Sequence, residues 1–182
     1  MTTRENYERW LESDKIDAQT REQLRNMSKE EIDDAFFKDV EFGTAGMRGV
    51  LGPGTNRLND FTVKKATVAF GRYLLELFPE AKKQGVVISH DNRHMSREFT
   101  LLSAKVLNDL GLKTYIFDSL RPTPELSFAV RYLGACGGIM ITASPLHELG
   151  GVAPAADRPQ DDAREGGRTP DRQRVAFRQG SA

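Results

Sequence analysis

The side chains best suited to chemistry in this sequence stand at the ends of apolar segments. Ser144 follows the run GIMITA at residues 138–143, and the chain changes composition directly after it. A serine hydroxyl is a weak nucleophile that reacts only when a base, a cation or positioned donors assist it. Spacing alone therefore leaves two interpretations of Ser144 open, a reacting hydroxyl and an ordinary turn residue at the end of a strand.

Three arginines and a glycine-rich segment offer the partners that a phosphate group needs. Arg48 lies in GTAGMRG, residues 43–49, whereas Arg93 and Arg121 lie in polar segments that each follow an apolar run. Guanidinium groups bind phosphate through paired N–H donors, and backbone N–H groups in glycine loops form anion sites. The set favours phosphate chemistry, although Asp91 and Arg93 also fit a helix-capping loop with a surface ion pair.

The common nucleotide and hydrolase motifs do not account for these residues. The glycines of residues 43–49 have G-x-x-G-x-x-G spacing, which is neither a dinucleotide fingerprint nor a P-loop. Residues 142–146 lack the two glycines of a hydrolase nucleophile elbow. The three histidines have no cysteine neighbours, so a zinc site is not expected, and Cys136 is interpreted as a small buried thiol.

The elements that must position these residues alternate along the chain. Short apolar runs, typical of buried parallel strands, occur at 85–89, 112–118 and 138–143. Amphipathic helical patterns cover 62–78, 96–111 and 124–133, and the second of these has Ser96 as its expected N-cap and Gly111 as its expected C-terminal stop. This alternation predicts an α/β fold, a three-layer α/β/α domain with a largely parallel sheet. Because parallel strands end at one edge, we expect a common crevice there, lined by Asp91, Arg93, His94, Arg121 and Ser144.

The two ends of the chain have a different character. Residues 1–40 are polar and amphipathic and predict an N-terminal helical extension, with Ser28 and Glu31 spaced as a capping box. Residues 145–182 contain six arginines and no lysine, and they are poor in large apolar side chains. We therefore expect an α/β/α domain at 41–144, followed by an atypical, disordered tail at 145–182.

Composition excludes several functional classes. The 26 basic residues balance 26 acidic residues, so no charge pattern favours binding to nucleic acid or to a membrane surface. The single cysteine excludes an internal disulfide framework, and the N-terminus lacks the apolar core of a signal peptide. No apolar run approaches the roughly 20 residues that span a bilayer. A cytoplasmic protein is the expectation, and its oligomeric state stays open.

Four ordered motifs together resemble a known family. EFGTAGMRG, GVVISHDNRH, FDSLRPTPELSFAVR and GGIMITAS are similar to the first domain of the α-D-phosphohexomutases, in the bacterial phosphoglucomutase/phosphomannomutase branch. The resemblance covers about residues 1–144. It implies an isomerase of carbohydrate metabolism that interconverts hexose 1-phosphate and hexose 6-phosphate. A phosphoserine at Ser144 would donate its phosphoryl group, and a hexose 1,6-bisphosphate intermediate would reorient and return the other phosphate.

The same resemblance implies roles for individual residues. Ser144 and Arg48 would be catalytic, while the phosphate- and substrate-binding positions would be Thr44, Gly46, Arg93 and Arg121. The family holds Mg²⁺ with three aspartates of a DGDGD-type loop and with the phosphoserine oxygen. Of these ligands, this sequence contains only Ser144, acting through its phosphate.

The sequence departs from the family directly after Ser144. The family continues with His-Asn-Pro and then Tyr-Asn-Gly-x-Lys, but here Pro145 follows the serine and no lysine comes later. Pro145 removes a backbone N–H and restricts Ser144 to extended conformations, and His147 does not replace the missing histidine. We interpret the chain as a truncated phosphoglucomutase/phosphomannomutase, inactive alone, with a reading-frame change near position 145. The alternatives are a non-catalytic sugar-phosphate-binding or interaction module, and a non-functional remnant.

Overall fold

In the computed structural model the described residues are 2–43, 46–144, 149–155 and 177–179, with side chains described up to residue 142. The helices are α1 (Thr3–Glu12), α2 (Ala18–Arg25), α3 (Lys29–Phe36), α4 (Asp60–Leu77), α5 (Ala81–Gln84), α6 (Ser96–Asp109) and α7 (Thr123–Leu133). The strands are β1 (Phe42–Gly43), β2 (Gly46–Val50), β3 (Val86–His90), β4 (Thr114–Phe117), β5 (Gly137–Ser144), β6 (Leu149–Ala155) and β7 (Phe177–Gln179).

The first three helices form the predicted N-terminal extension. Ser28 and Glu31 make the predicted capping box at α3, and Thr2 and Glu5 make a second one at α1. These helices share a small core of their own around Leu24 and Phe36, which have no exposed surface. The Trp10 ring lies 5.2 Å from that of Phe61 on α4, so aromatic packing joins the extension to the rest of the chain.

The seven described strands form one mixed sheet in the order β1-β2-β6-β5-β3-β4-β7. Its centre is the predicted parallel part, with β3 paired to both β4 and β5. Each of these strands lies within one or two residues of its predicted position. The remaining pairs, β1 with β2, β2 with β6, β5 with β6 and β4 with β7, are antiparallel. The predicted α/β class is confirmed.

Helices cover both faces of the parallel strands and complete the three layers. Ile139 and Ile141 of β5 point into the core shared with α4 and α6, whereas Met140 packs with residues of α7. This alternation follows from the two-residue period of a strand. Helix α7 approaches the sheet closely because Gly138 has no side chain, and a Cβ there would lie 2.9 Å from Val130 Cγ2.

The structure corrects the predicted start of α6. The sequence pattern placed Ser96 at the N-cap, but the N-cap is Met95, in a left-handed conformation with φ +63°. Ser96 is the first helical residue and is buried. The predicted C-terminal stop at Gly111 is confirmed, since this residue follows the C-cap Leu110 and has φ +80°.

Two segments within the residues expected to form a disordered tail, β6 and β7, are strands among the described residues. Strand β6 pairs with β5 over seven positions and with β2 over four, and β7 pairs with β4. Strand pairing uses the main chain, so a composition poor in large side chains did not reveal it. Residues 145–148, 156–176 and 180–182 lie outside the described residues. Within the described part, no helix combines the length and apolar character required to cross a membrane.

Candidate functional site

The carboxylate of Asp91 connects three elements where β3 ends. Its Oδ2 accepts a hydrogen bond from Thr142 Oγ1 on β5 at 2.5 Å, and its Oδ1 accepts one from Ser96 Oγ on α6 at 2.8 Å. Oδ1 also accepts from the backbone N–H of Arg93 at 3.1 Å. The backbone N–H of Asp91 donates to the carbonyl of Ile141 at 3.1 Å. Main chain and side chain of Asp91 therefore both bind the last residues of β5 to the β3–α6 loop.

Met95 gives this loop an unusual backbone. A left-handed conformation is uncommon for a residue with a long side chain, and it persists only where surrounding contacts enforce it. Two hydrogen bonds of the next residue, Ser96, close the turn around Met95. The Ser96 hydroxyl donates to the Asp91 carboxylate, and the Ser96 backbone N–H donates to the carbonyl of Arg93 at 3.2 Å. The loop is thus a tight, internally bonded turn rather than a loose connection.

Arg93 has features of both interpretations that the sequence left open, a phosphate-binding residue and a partner in a surface ion pair. Its Nε lies 3.4 Å from Asp91 Oδ2, which is the expected ion pair. The Arg93 side chain nevertheless keeps 38% of its surface exposed at the edge of the sheet. It can therefore offer donors to an anion while Asp91 restrains the position of its guanidinium group.

Arg121 belongs to the neighbouring exit loop, after β4. Its carbonyl accepts a hydrogen bond from the buried Ser89 Oγ of β3 at 3.1 Å, which fixes this loop against the central strand. The side chain forms an ion pair with Glu125 of α7, with Nε 3.2 Å from Oε2. That Nε is buried and lacks hydrogen-bond geometry to Glu125, so the contact is electrostatic. Arg121 thus lies at the predicted sheet edge.

Strand β2 brings Arg48 towards the end of β5. Arg48 is exposed, and its Cα is paired with that of Gly151 in β6, which is in turn paired with Thr142 in β5. Two strand spacings put the Arg48 and Thr142 backbones roughly 9.5 Å apart. Gly46, at the start of β2, is buried with φ +97°, a conformation that favours glycine.

Ser144 is the last residue of β5, as the sequence predicted for a strand exit, and its Cα is paired with that of Leu149. The structure thus brings its backbone to the edge that holds Asp91, Arg93 and Arg121.

Thr44 lies outside the described residues. His94 is exposed on the β3–α6 loop. The roles expected for the site residues stay predictions.

Sequence reasoning missed the two hydroxyl partners of Asp91. Thr142 appeared only as part of an apolar strand, and Ser96 appeared only as a helix cap. A usable signal was present, because a threonine two residues before a strand-exit serine is polar at a position where the strand is otherwise apolar. The contacts themselves span 51 residues for Thr142, and sequence spacing does not reveal pairings of that range.

A separate cavity of about 860 Å³ lies beside α1, β2 and α4. Its apolar lining includes Trp10, Val40, Met47 and Phe61. None of Asp91, Arg93, Arg121 and Thr142 lines it, so the cavity is distinct from the edge where the candidate site residues meet.

The described residues do not by themselves fit a magnesium ion. Among them, no three acidic, histidine or cysteine side chains are grouped closely enough to hold a metal. Mg²⁺ requires about six oxygen ligands in octahedral geometry. Asp91 is already engaged by two hydroxyls and a backbone N–H, which suits it to a structural contact.

The fold and this site define a three-layer α/β/α domain with phosphate-suited arginines at the carboxyl edge of its sheet. Residues 39–148 match the sequence profile of phosphoglucomutase/phosphomannomutase, alpha/beta/alpha domain I. The chain therefore belongs to the phosphoglucomutase/phosphomannomutase family.

Individual relatives agree with this family. The chain is 44% identical over 140 residues to a "Probable phosphoribomutase" of Schizosaccharomyces pombe, covering 74% of this chain and 24% of that protein. It is 46% identical over 119 residues to a phosphoglucomutase of Staphylococcus epidermidis, covering 65% and 21%. It is 41% identical over 145 residues to a phosphopentomutase of Homo sapiens, covering 74% and 24%. The chain thus spans about a quarter of the length of these relatives.

A solved structure shows the same relation. A crystal structure from Thermus thermophilus, assigned as a phosphomannomutase, superposes with a TM-score of 0.55 at 36% sequence identity. The match covers 65% of this chain and 26% of that chain. The structural similarity, like the sequence similarity, is with part of a larger protein.

Proposed function

We propose that this chain is the phosphoserine-carrying domain of a phosphoglucomutase-type isomerase, with Ser144 as the residue that carries the phosphoryl group. The observation that supports the proposal is the family match at 39–148, which contains Ser144 at the carboxyl end of a central strand. Ligands of open α/β sheets bind at this edge. The proposed partner is a sugar phosphate, and neither nucleic acid nor a membrane is proposed.

The proposed chemistry is transfer of one phosphoryl group between a sugar bisphosphate and Ser144. The Ser144 oxygen forms a new bond to phosphorus while the bond from phosphorus to the sugar oxygen breaks, and the serine proton ends on that sugar oxygen. Such transfers depend mainly on positioning and on neutralising charge. Arg48 is proposed to neutralise the transferring group, while Thr44, Gly46, Arg93 and Arg121 bind phosphate or substrate.

Mg²⁺ would neutralise charge on the transferring phosphoryl group, and the proposed contribution of this chain is one phosphoryl oxygen on Ser144. The described residues contain no group of three acidic, histidine or cysteine side chains that could hold this ion. We propose that complete interconversion of sugar 1- and 6-phosphates needs a metal loop and a sugar-recognition domain that these 182 residues do not contain.

The residue after the nucleophile position is compatible with the strand conformation of Ser144. A residue that precedes proline avoids helical angles and favours extended ones. Ser144 ends β5 in extended backbone, as Pro145 requires. Pro145 also lacks the N–H that the family's histidine would offer a phosphate. We therefore propose that Ser144 accepts a phosphoryl group more slowly than the corresponding serine of its relatives does.

The test is direct mass measurement of the intact protein after incubation with glucose 1,6-bisphosphate and Mg²⁺. The expected result is one phosphate adduct on Ser144 and none in the Ser144→Ala variant. Ribose 1,5-bisphosphate is run beside it, because the relatives' names include both phosphoglucomutase and phosphopentomutase. An adduct that persists in Ser144→Ala would overturn the assignment of Ser144.

A coupled assay with glucose 1-phosphate then separates the half-reaction from full turnover. We expect no conversion to glucose 6-phosphate by the chain alone, and measurable conversion would refute the proposed dependence on other domains. If no adduct forms but sugar phosphate raises the thermal midpoint, the chain is a binding module instead, because a ligand selective for the folded state must stabilise it.

A further inference from the structure

The hydrogen bonds of Asp91 hold the carboxyl end of β5 in place. Thr142 lies two positions before Ser144 on β5, and its hydroxyl donates to Asp91 Oδ2 at 2.5 Å. The preceding residue of β5, Ile141, accepts the Asp91 backbone N–H at 3.1 Å. Asp91 therefore restrains the terminal part of β5 through two independent hydrogen bonds.

The other contacts of Asp91 anchor it to a rigid part of the domain. Ser96, which donates to Oδ1 at 2.8 Å, is buried at the first position of α6. Helix α6 packs against the sheet through the buried residues Phe99, Ala104 and Leu107. A displacement of the β5 end would therefore have to break a charge-assisted hydrogen bond or move the helix.

The backbone at Met95 gives a second, independent observation. Its left-handed conformation at φ +63° carries a conformational cost for a residue with a Cβ. Such a conformation is retained when its surroundings require it, and these sites cluster where positioning matters. Here the strained residue lies directly before Ser96, so it turns the chain to bring the Ser96 hydroxyl to Asp91.

We infer that Asp91 and Thr142 are positioning residues that hold the end of β5, and with it the Ser144 backbone, in the place required for phosphoryl transfer. The inference rests on the proposed function, because that function is what makes the position of Ser144 important for phosphoryl transfer. Neither residue is assigned a contact with the substrate. Asp91 acts through Thr142 and Ile141, and a shift of about 1 Å in a reacting group can lower a rate by up to about a hundredfold.

The experiment compares variants of the full chain by two measurements. The variants are Thr142→Val, which removes the hydroxyl at nearly constant volume, Thr142→Ser, which keeps it, and Asp91→Asn. Asp118→Asn is the matched control, because Asp118 also follows a parallel strand but is exposed, and its hydrogen bond among the described residues is a local one from Ser119 Oγ at 3.1 Å. The measurements are amide hydrogen exchange and the rate of phosphate uptake from glucose 1,6-bisphosphate.

The expected pattern is specific to the strand end. Exchange at amides 141–144 should rise about tenfold or more in Thr142→Val and Asp91→Asn, while amides 137–139 stay protected. Phosphate uptake should fall by about tenfold in the same two variants, and Thr142→Ser should restore most of the rate. Asp118→Asn should resemble the parent chain in both measurements.

Three results would overturn the inference. These are unchanged exchange at 141–144 in both variants, equal effects of Thr142→Ser and Thr142→Val, and the same change in Asp118→Asn. If the parent chain takes up no phosphate, the proposed function fails, but the exchange data still decide whether Asp91 and Thr142 hold the strand end.

Discussion

At the scale of single residues, the Cys136 thiol illustrates how burial controls reactivity. The side chain is 3% exposed, and Sγ donates to the carbonyl of Gly85 at 3.1 Å. Burial raises the pKa of the Cys136 thiol because the thiolate is poorly solvated there. We expect native labelling by a thiol reagent to be roughly a hundredfold slower than labelling in denaturant, since exposure requires an opening of the fold.

The labelling measurement uses absorbance with an aromatic disulfide reagent at constant pH. The denatured chain is the control, because its cysteine has ordinary exposure and pKa. Equal rates in the two states would show that Cys136 is accessible in the native protein, which would contradict the buried position of its side chain.

Asp17 offers a residue-scale test of pH dependence. Its carboxylate caps α2, accepting from the Thr20 backbone N–H at 2.8 Å and from Thr20 Oγ1 at 2.7 Å. These hydrogen bonds lower the pKa of the Asp17 carboxyl. Its contribution to stability is therefore present above the unfolded-state pKa, and it is lost as the pH falls through the lower folded-state pKa.

The prediction compares Asp17→Ala with the parent chain in thermal melts at decreasing pH. The difference in thermal midpoint should be largest near neutral pH and should shrink as the pH falls below the ordinary carboxyl range. Asp14→Ala is the matched control, because Asp14 is an exposed residue of the same loop and caps no described helix. A difference independent of pH would contradict the role assigned to the ionised carboxylate.

At the scale of elements, the packing of α7 on the sheet depends on one missing side chain. A Cβ at Gly138 would lie 2.9 Å from Val130 Cγ2 and 3.1 Å from Leu126 Cδ1. Overpacking of this kind forces side chains off their rotamers or moves the helix. We expect Gly138→Ala to lower the free energy of unfolding by about 1–3 kcal/mol.

The matched variant is Gly49→Ala, in a strand of the same sheet. A Cβ at Gly49 would meet its nearest atoms at 3.6 Å, which is ordinary van der Waals contact. Its effect should stay within about 0.5 kcal/mol in chemical denaturation. Similar losses for both variants would show that close packing at Gly138 is not the cause.

The central elements could be predicted because local pattern and tertiary environment agree there. The apolar runs of β3 and β5 are buried on both faces and that of β4 is buried or half-buried, and continuous apolar sequence is the pattern that this burial produces. At the site, the sequence placed Arg93, Arg121 and Ser144 at one edge from strand order alone. The Asp91 contacts with Thr142 and Ser96 were not predictable, because they depend on how α6 enters its first turn.

At the scale of the whole molecule, β6 determines how the two halves of the sheet are joined. It lies between β5 and β2, so among the described strands it is β6 that joins the β1–β2 pair to the parallel strands. Its residues 149–152 pair on both sides, and Pro154 lies beyond the last position paired with β2. A proline lacks the N–H for a ladder bond and is tolerated where a strand is an edge.

This arrangement predicts different outcomes for two truncations. A chain ending at residue 144 would leave β5 and β2 with unpaired edges in addition to the edge of β4, and exposed edges promote association between chains. A chain ending at residue 155 keeps β6 and loses only the three-residue strand β7 from the edge of β4, so it should associate less and have a thermal midpoint closer to that of the full chain. Size-exclusion chromatography with light scattering and thermal melts measure both properties, with the full chain as the reference. If the chain ending at 144 is as stable and monodisperse as the one ending at 155, β6 does not join the sheet, and the place of Arg48 opposite the end of β5 loses its support.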